Sequence, residues 1–394
     1  MTDTAPSHNS NRSHFRYAYV LVLLGFGYFA AQLQNERASQ AWEAYLINVL
    51  LWSAIAQGGL LFSMIMHMTK AKWHRPLSVL SESFGAFFPV SFALFLTLLL
   101  GKRFIFPWLG TDLHGKEAWL NPAFLYSRDL AGLFILYALG FGYLYYASGS
   151  RVAGGTAGNR LGSVLRRIWE REALDTGTRR RRMSFFSVLY MIAFAFILSL
   201  VGFDMIMSAD PHWISTLFGA YIFVKAIYVG LGGLIILSAI VYLLKGPESG
   251  LSASHFHDLG KLFFGFCLIW GDFFYAQFVV IWYGNIPEET GYIIERTMLM
   301  PWKPLAWVVF STCFIIPFLI LLNKTIKTKP VFMAGLCGVV IAGIGLEHLL
   351  LLGPSLNPGL DIAPRILSMG AVSLGFLGLM VLSVSFFLKK LSDI

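Results

Sequence analysis

Apolar runs of roughly twenty residues alternate with short polar segments along almost the whole chain. The runs are Tyr17–Leu33, Trp42–His67, Phe84–Leu100, Leu130–Ala147 and Phe185–Met207, then Phe218–Leu243, Leu259–Tyr283, Leu305–Leu322, Val331–Leu352 and Ile366–Leu388. A helix rises ~1.5 Å per residue, so about 20 residues cross a ~30 Å hydrocarbon core. The pattern predicts an all-α integral membrane protein of ten spans. Residues 1–16 form a polar N-terminal tail, 17–388 the transmembrane domain and 389–394 a short C-terminal tail. No soluble domain interrupts the domain. The first run follows a polar start and is longer than a signal-peptide core, so it reads as an uncleaved first helix.

Composition agrees: 57% of residues are hydrophobic and 13% charged, against about a quarter charged in soluble domains. The net charge of +9 does not indicate a nucleic-acid partner, because the basic residues sit in alternate loops. With the N-terminus inside, 21 of the 30 Lys and Arg fall in inner segments and 8 in outer ones; Lys225 lies within a span. The positive-inside rule therefore places both termini in the cytoplasm. The inner segment 148–184 carries nine arginines from Arg151 to Arg182. Within it, Gly149–Gly162 reads as flexible and Leu161–Ala173 as an amphipathic basic helix at an anionic leaflet. The arginine run Arg179–Arg182 marks the start of the fifth span.

Outer segments instead carry Trp108, Trp119, Trp213 and Trp302 together with several prolines. Aromatic side chains settle at the headgroup level and proline stiffens the chain, so these segments suit docking of something outside the membrane. Asp210, ahead of Pro211, is expected to cap a short helix over His212–Leu217. Glu288 and Glu289, after Pro287, are expected to do the same for the next outer segment or to meet basic groups of a neighbouring subunit. His212 and Trp213 belong to the same docking group.

Ionisable groups within spans are costly and point to function. Asp204, Lys225, Asp272, Glu347 and His348, with Gln57 and Gln277, are the candidates for proton transfer or for a quinone region. Counting along the helices puts Asp204, Lys225, Glu347 and His348 in the outer half, and Asp272 and Gln57 near the midplane. Carboxylates and imidazole relay protons, or hydrogen-bond a quinol and accept its protons on oxidation. The plain structural alternative is a neutralising pair of Lys225 with Asp272 or Glu347. No catalytic constellation or metal-ligand cluster is legible: Cys267, Cys313 and Cys337 lie singly. His67 and His348 sit at opposite ends of the membrane and cannot share a haem. Trp52 with Gln57 and Trp270 with Gln277 form a weak internal echo.

Two long blocks go beyond generic membrane sequence: GFDMIMSADPHWISTLFGAY, Gly202–Tyr221, and HDLGKLFFGFCLIWGDFFYAQFVVIWYGNIPEETGYIIER, His257–Arg296. With WEAYLINVLLWSAIAQGGLLF, Trp42–Phe62, and KEAWLNPAF followed by Arg128 and Asp129, they resemble the ActF-type second quinone-binding membrane subunit of alternative complex III. That group is related to the NrfD/polysulfide-reductase membrane subunits. The resemblance implies two four-helix bundles with peripheral helices, in a bacterial cytoplasmic membrane. It also implies a chain without its own redox cofactor, associating with quinone or menaquinone or translocating protons within a quinol:cytochrome c oxidoreductase. The implied partners are a sister quinol-binding membrane subunit, a periplasmic iron–sulfur subunit, haem c subunits and membrane lipid. Where the family pattern reads W-x-Y, this chain has Trp270-Gly271-Asp272, a departure that puts the roles in that span in question. A secondary transporter, hinted at by Pro89 and Pro317, and a purely architectural subunit are the rival readings.

Overall fold

The computed structural model describes residues 8–35, 37–71, 74–113, 115–152 and 175–392. The chain is an all-α, multi-pass membrane protein. Ten helices are long and apolar enough to cross a bilayer. In chain order α1 spans Phe15–Gln34, α2 Ala38–Met68, α3 Pro76–Ile105, α4 Pro122–Ala147, α5 Thr176–Ala209, α6 Phe218–Ser249 and α7 Ala253–Gly284. A short helix α8, Pro287–Thr297, precedes α9, Trp302–Leu322, α10, Pro330–Leu356, and α11, Ile362–Lys389. Each crossing coincides with one of the apolar runs. The side bearing the basic loops is called inner below.

Two bundles share one seam. Helices α2 to α5 form the first, and α6, α7, α9 and α10 the second. Helix α2 packs along α6 between them, α11 packs on α2, and α1 covers α11. The seam is made by glycine. A methyl group on Gly58 would land on the Ala226 carbonyl oxygen, and one on Gly230 on the backbone of Gly58. Backbones therefore touch at this crossing, as small residues allow between membrane helices. The contact fixes Gln57 on α2 against Lys225 on α6.

Local sequence explains where the helices start and bend. Asp175 precedes α5, and its carboxylate accepts from the backbone N–H of Gly177 at 3.1 Å and of Thr178 at 3.2 Å. A hydrogen bond from the Thr178 side chain, together with these backbone bonds, holds the Asp175 carboxyl below its ordinary pKa. Helix α7 opens with a capping box between Ser252 and His255. Helix α3 begins two turns earlier than its apolar run because Ser81 and Glu82 face α2 rather than water: Ser81 donates to the Gly59 carbonyl at 2.5 Å and Ser63 to Glu82 at 3.2 Å. A 3₁₀ turn at Phe84–Phe87 interrupts α3 just before Pro89, and a π turn at Ser311–Ile315 interrupts α9 before Pro317. Neither turn unwinds its helix.

Some expectations change here. The start of the glycine-rich stretch Gly149–Gly162 is helical as far as Val152; its remainder, and the basic helix expected over Leu161–Ala173, lie outside the described residues. The short helix expected at His212–Leu217 does not form. Asp210 accepts the His212 N–H at 3.3 Å in a local turn, and the chain stays irregular until α6.

The seam yields a prediction. Gly58→Val should lower the stability of the purified protein by roughly 1–3 kcal/mol or more, since backbone cannot yield to an overpacked side chain. Gly27→Ala, where nothing lies within 4 Å, should leave the thermal unfolding midpoint in detergent unchanged.

Candidate functional site

The densest polar cluster inside the membrane sits in the outer half of the second bundle. Lys225 lies seven residues inside the Phe218 end of α6 and Glu347 nine from the Leu356 end of α10, so at ~1.5 Å per residue the two share a depth. Lys225 Nζ donates to Glu347 Oε1 at 3.0 Å. The Tyr221 hydroxyl, one turn from Lys225, donates to the same oxygen, and Trp270 Nε1 of α7 donates to Oε2 at 3.3 Å. Glu347 is 1% exposed and Lys225 2%. The carboxylate is thus held by a cation and two neutral donors from two helices, α6 and α7, and a buried charge requires such partners.

This cluster stands between two internal spaces. On its first-bundle side Lys225, His348 and Gln57 line a cavity of about 40 Å3 between α2, α4, α5, α6 and α10. That is room for two or three waters at roughly 10–15 Å3 each. Gln57 Oε1 is buried without a hydrogen-bond partner among the described residues, and a water there would satisfy it. His348 Nδ1 is 2.8 Å from the Ile344 carbonyl. A carbonyl only accepts, so the proton sits on Nδ1. From Gln57 a polar chain passes through α4 and α3 and returns to α2 one turn outward: its Nε2 donates to Tyr137 at 2.8 Å, Tyr137 meets Ser91 at 2.7 Å and Ser91 meets Ser53 at 2.6 Å. Six residues along α2, Ser63 meets Tyr143 at 2.9 Å, and one turn further His67 meets Ser184 at 3.2 Å.

On its other side Tyr221 lines a recess of about 70 Å3 with Trp213, Gln277, Tyr292 and Arg296. Phe278 and Ile293 line both this recess and an outward groove of about 500 Å3 between the end of α7 and helix α8. The groove walls are Ile281, Trp282, Ile294 and Met298, with Asn285 and Thr290 as polar points. Helix α8 closes the recess. Arg296, 2% exposed, donates from Nε and Nη2 to the Leu351 carbonyl at 3.1 and 3.0 Å and from Nη2 to Ser355 at 2.7 Å. The Tyr292 ring lies between its guanidinium, 3.4 Å from the ring centre, and Trp213, stacked at 3.9 Å. Burial pushes the Tyr292 phenol up to about 12, with the Arg296 charge opposing. The phenol therefore remains a donor to the Leu351 carbonyl at neutral pH. Trp213 Nε1 is buried with no acceptor among the described residues.

Two further buried pairs brace the outer face. Arg128 grips Asp204 with two bonds, Nε to Oδ2 at 2.6 Å and Nη2 to Oδ1 at 2.5 Å. Asp129, fully buried beside Asp204, has no donor on either oxygen among the described residues. Arg365 of α11 holds Glu43 of α2 through Nη2 and, at 2.9 Å, through Nε, while Asn357 donates to the same carboxylate at 3.1 Å.

The structure thus gathers Lys225, Glu347, His348 and Gln57 about one cavity and puts Gln277 in the adjoining recess. Asp204 stands apart, locked to Arg128 rather than joined to the cluster. Asp272 does not pair with Lys225: it is exposed on the outer surface of α7, since two residues along a helix turn it about 200° from inward-facing Trp270. Among the docking residues, Asp210 and His212 line an outer pocket of about 360 Å3 with Asp112, Lys116 and Glu295. Trp213 is buried rather than presented outward. Glu289 is half-buried in the first turn of α8, and the Glu288 side chain lies outside the described ones.

Sequence reasoning missed Glu43, Glu82 and the tyrosines that link the polar groups, and counted Arg128, Arg296 and Arg365 as loop charges. An available signal was depth: Glu43 and Arg365 stand at the outer edges of their apolar runs, and in the structure they lie five and three residues inside the outer ends of α2 and α11. Among the described residues no three His, Cys, Asp or Glu side chains converge as metal ligands. No protein-family model matches this chain, and no curated protein matches it.

The ion pair is open to a direct test. Lys225→Met should destabilise the protein by about 3–5 kcal/mol, because Glu347 is left buried without its cation. Adding Glu347→Gln to Lys225→Met should recover most of that loss, read as thermal unfolding midpoints in one detergent.

Proposed function

We propose that this chain is a membrane subunit of a quinol-oxidising respiratory assembly, of the kind its sequence resembles. In this reading a quinol headgroup occupies the recess under α8 and its isoprenoid tail leaves through the groove between α7 and α8. The observation that carries the reading is the recess itself. It combines an apolar entrance from the membrane, an unpartnered buried indole N–H at Trp213 and an amide at Gln277. It also contacts Tyr221, which is hydrogen-bonded to a buried carboxylate. A quinol oxygen needs a donor or acceptor in an otherwise apolar slot, and these residues supply both.

On oxidation a quinol gives up two electrons and two protons. The electrons pass to iron–sulfur and haem c partners outside the membrane, the acceptors that the resemblance implies. This chain's residues handle the protons: Tyr221 lines the recess and donates to Glu347, Lys225 sets the charge of Glu347, and the cavity beyond Lys225 reaches His348 and Gln57. The chain's membrane is then the bacterial cytoplasmic membrane. Arg296 is a positioning residue, since all its bonds go to the backbone and side chains that hold α8 in place.

Two rivals draw on the same coordinates. The interruptions at Phe84–Phe87 and Ser311–Ile315 fall in the third crossing of each set of five, as paired breaks in a transporter do. Both stay helical, so they free few backbone groups to bind a substrate. An architectural subunit would use the three ion pairs as braces and leave the recess without a ligand.

Binding separates these readings. A quinol analogue titrated into the purified protein should bind the wild type. Trp213→Phe should weaken it about 3–10-fold, the loss of one neutral hydrogen bond at ~0.5–1.5 kcal/mol, and Gln277→Leu should do likewise. Ile294→Trp, which fills the groove, should abolish binding without changing the unfolding midpoint. Equal affinity in all three variants would remove the quinol site from this chain.

A further inference from the structure

Away from the ends of the crossings the other acidic side chains, Glu43, Glu82, Asp129, Asp204 and Glu347, are buried, and Glu43, Asp204 and Glu347 each meet a cation. Asp272 is different. It lies twelve residues inside the Gly284 end of α7, about 18 Å of helix, which is the depth of hydrocarbon. It is exposed, and no described group pairs with it. Three residues further along, Tyr275 is 65% exposed, and its hydroxyl likewise has no partner among the described residues. The two polar groups share one stripe of α7, since residues three and four apart stand on the same face.

The rest of that stripe suits a helix. Gly265 lies seven residues before Asp272, two turns inward, and a methyl group there would meet nothing within 4 Å. Ala276 lies four residues after it. Leu268 and Ile269, both 40% exposed, fill the space between. Small residues on either side of a polar one are the pattern by which membrane helices approach closely and hydrogen-bond across the contact. A bare carboxylate in lipid is costly, and such acids face a protein interior, a water-filled cavity or a partner charge. Asp272 lines none of the four cavities described above.

We infer that the Gly265–Ala276 face of α7 is covered by a transmembrane helix of a different subunit, which presents a lysine or arginine to Asp272. The charge selects the partner: a second copy of this chain would bring another carboxylate to the same depth, and lipid tails bring nothing. The inference extends the reading of the chain as one subunit of an assembly. It uses none of the quinol-site residues, so the two tests fail independently.

The test uses the intact assembly in native membranes. A photo-crosslinking residue replaces Leu268, one turn inward of Asp272, and crosslinked peptides are mapped by mass spectrometry. The expected product joins α7 to a membrane-spanning segment of another protein that has Lys or Arg within a turn of the crosslink. Asp272→Lys should cut that product about tenfold or more, as loss of a buried interfacial charge pair does. Reversing the partner's base to Glu should restore it. Asp272→Asn should give an intermediate loss, and all variants should keep the wild-type unfolding midpoint of the isolated chain. Crosslinks to lipid alone, crosslinks to a second copy of this chain, or a yield insensitive to Asp272→Lys would each overturn the inference.

Discussion

Everything polar in this membrane domain depends on how closely α2 and α6 approach. Gly58 and Gly230 let the two backbones touch, and the residue beside each glycine contact is the one with chemistry. Gln57 precedes Gly58, and Lys225 precedes the Ala226 carbonyl on which Gly58 rests. A larger residue at the crossing would move the bundles apart and widen the small cavity that Gln57, Lys225 and His348 now share. Packing at this crossing of the two bundles, which also meet where α5 packs on α6 and α10 on α2, thereby sets the distance between a buried cation and the polar line leading inward along α2.

Buried charge is the second organising element, and it is distributed with a purpose that geometry makes plain. Glu43–Arg365 ties the peripheral α11 to the seam helix α2. Arg128–Asp204 ties α4 to α5 at the outer end of the first bundle. Lys225–Glu347 ties α6 to α10 and alone among the three adjoins internal space on two sides. Taking charges out of water costs several kcal/mol per ion, so the first two pairs act as clasps, and Asn357 adds a further donor to Glu43. The third carries the same cost next to cavities that admit water, which is where a bond can be made and unmade.

The ten crossings were legible because hydrocarbon thickness leaves a direct imprint on run length. Depth was legible too, since helical rise is constant: Lys225, Glu347 and His348 were assigned to the outer half and meet there. Direction round the helix was the harder quantity. Asp272 has the depth of a cluster member but stands about 200° from Trp270, which faces Glu347, and a count of residues along the axis ignores that angle. Helix α3 was read short because Ser81, Glu82 and Ser83 look like loop, although each is buried against other helices. Trp213 was read as an outward anchor because aromatic residues favour the interface; its stacking on Tyr292 depends on α8 folding back, a tertiary event with no local signature. The quinol reading and the partner assignments rest on the resemblance together with the recess, not on spacing alone.

The stack of Trp213, Tyr292 and the Arg296 guanidinium has an optical consequence. An indole pressed face to face on a phenol, in a slot sealed from water, fluoresces in a different band and with a different yield from one released to solvent. Any displacement of α8 large enough to admit a bulky ring must part that stack. The wall of the recess therefore carries a native fluorophore, whose colour would report a displacement of α8 without any attached label.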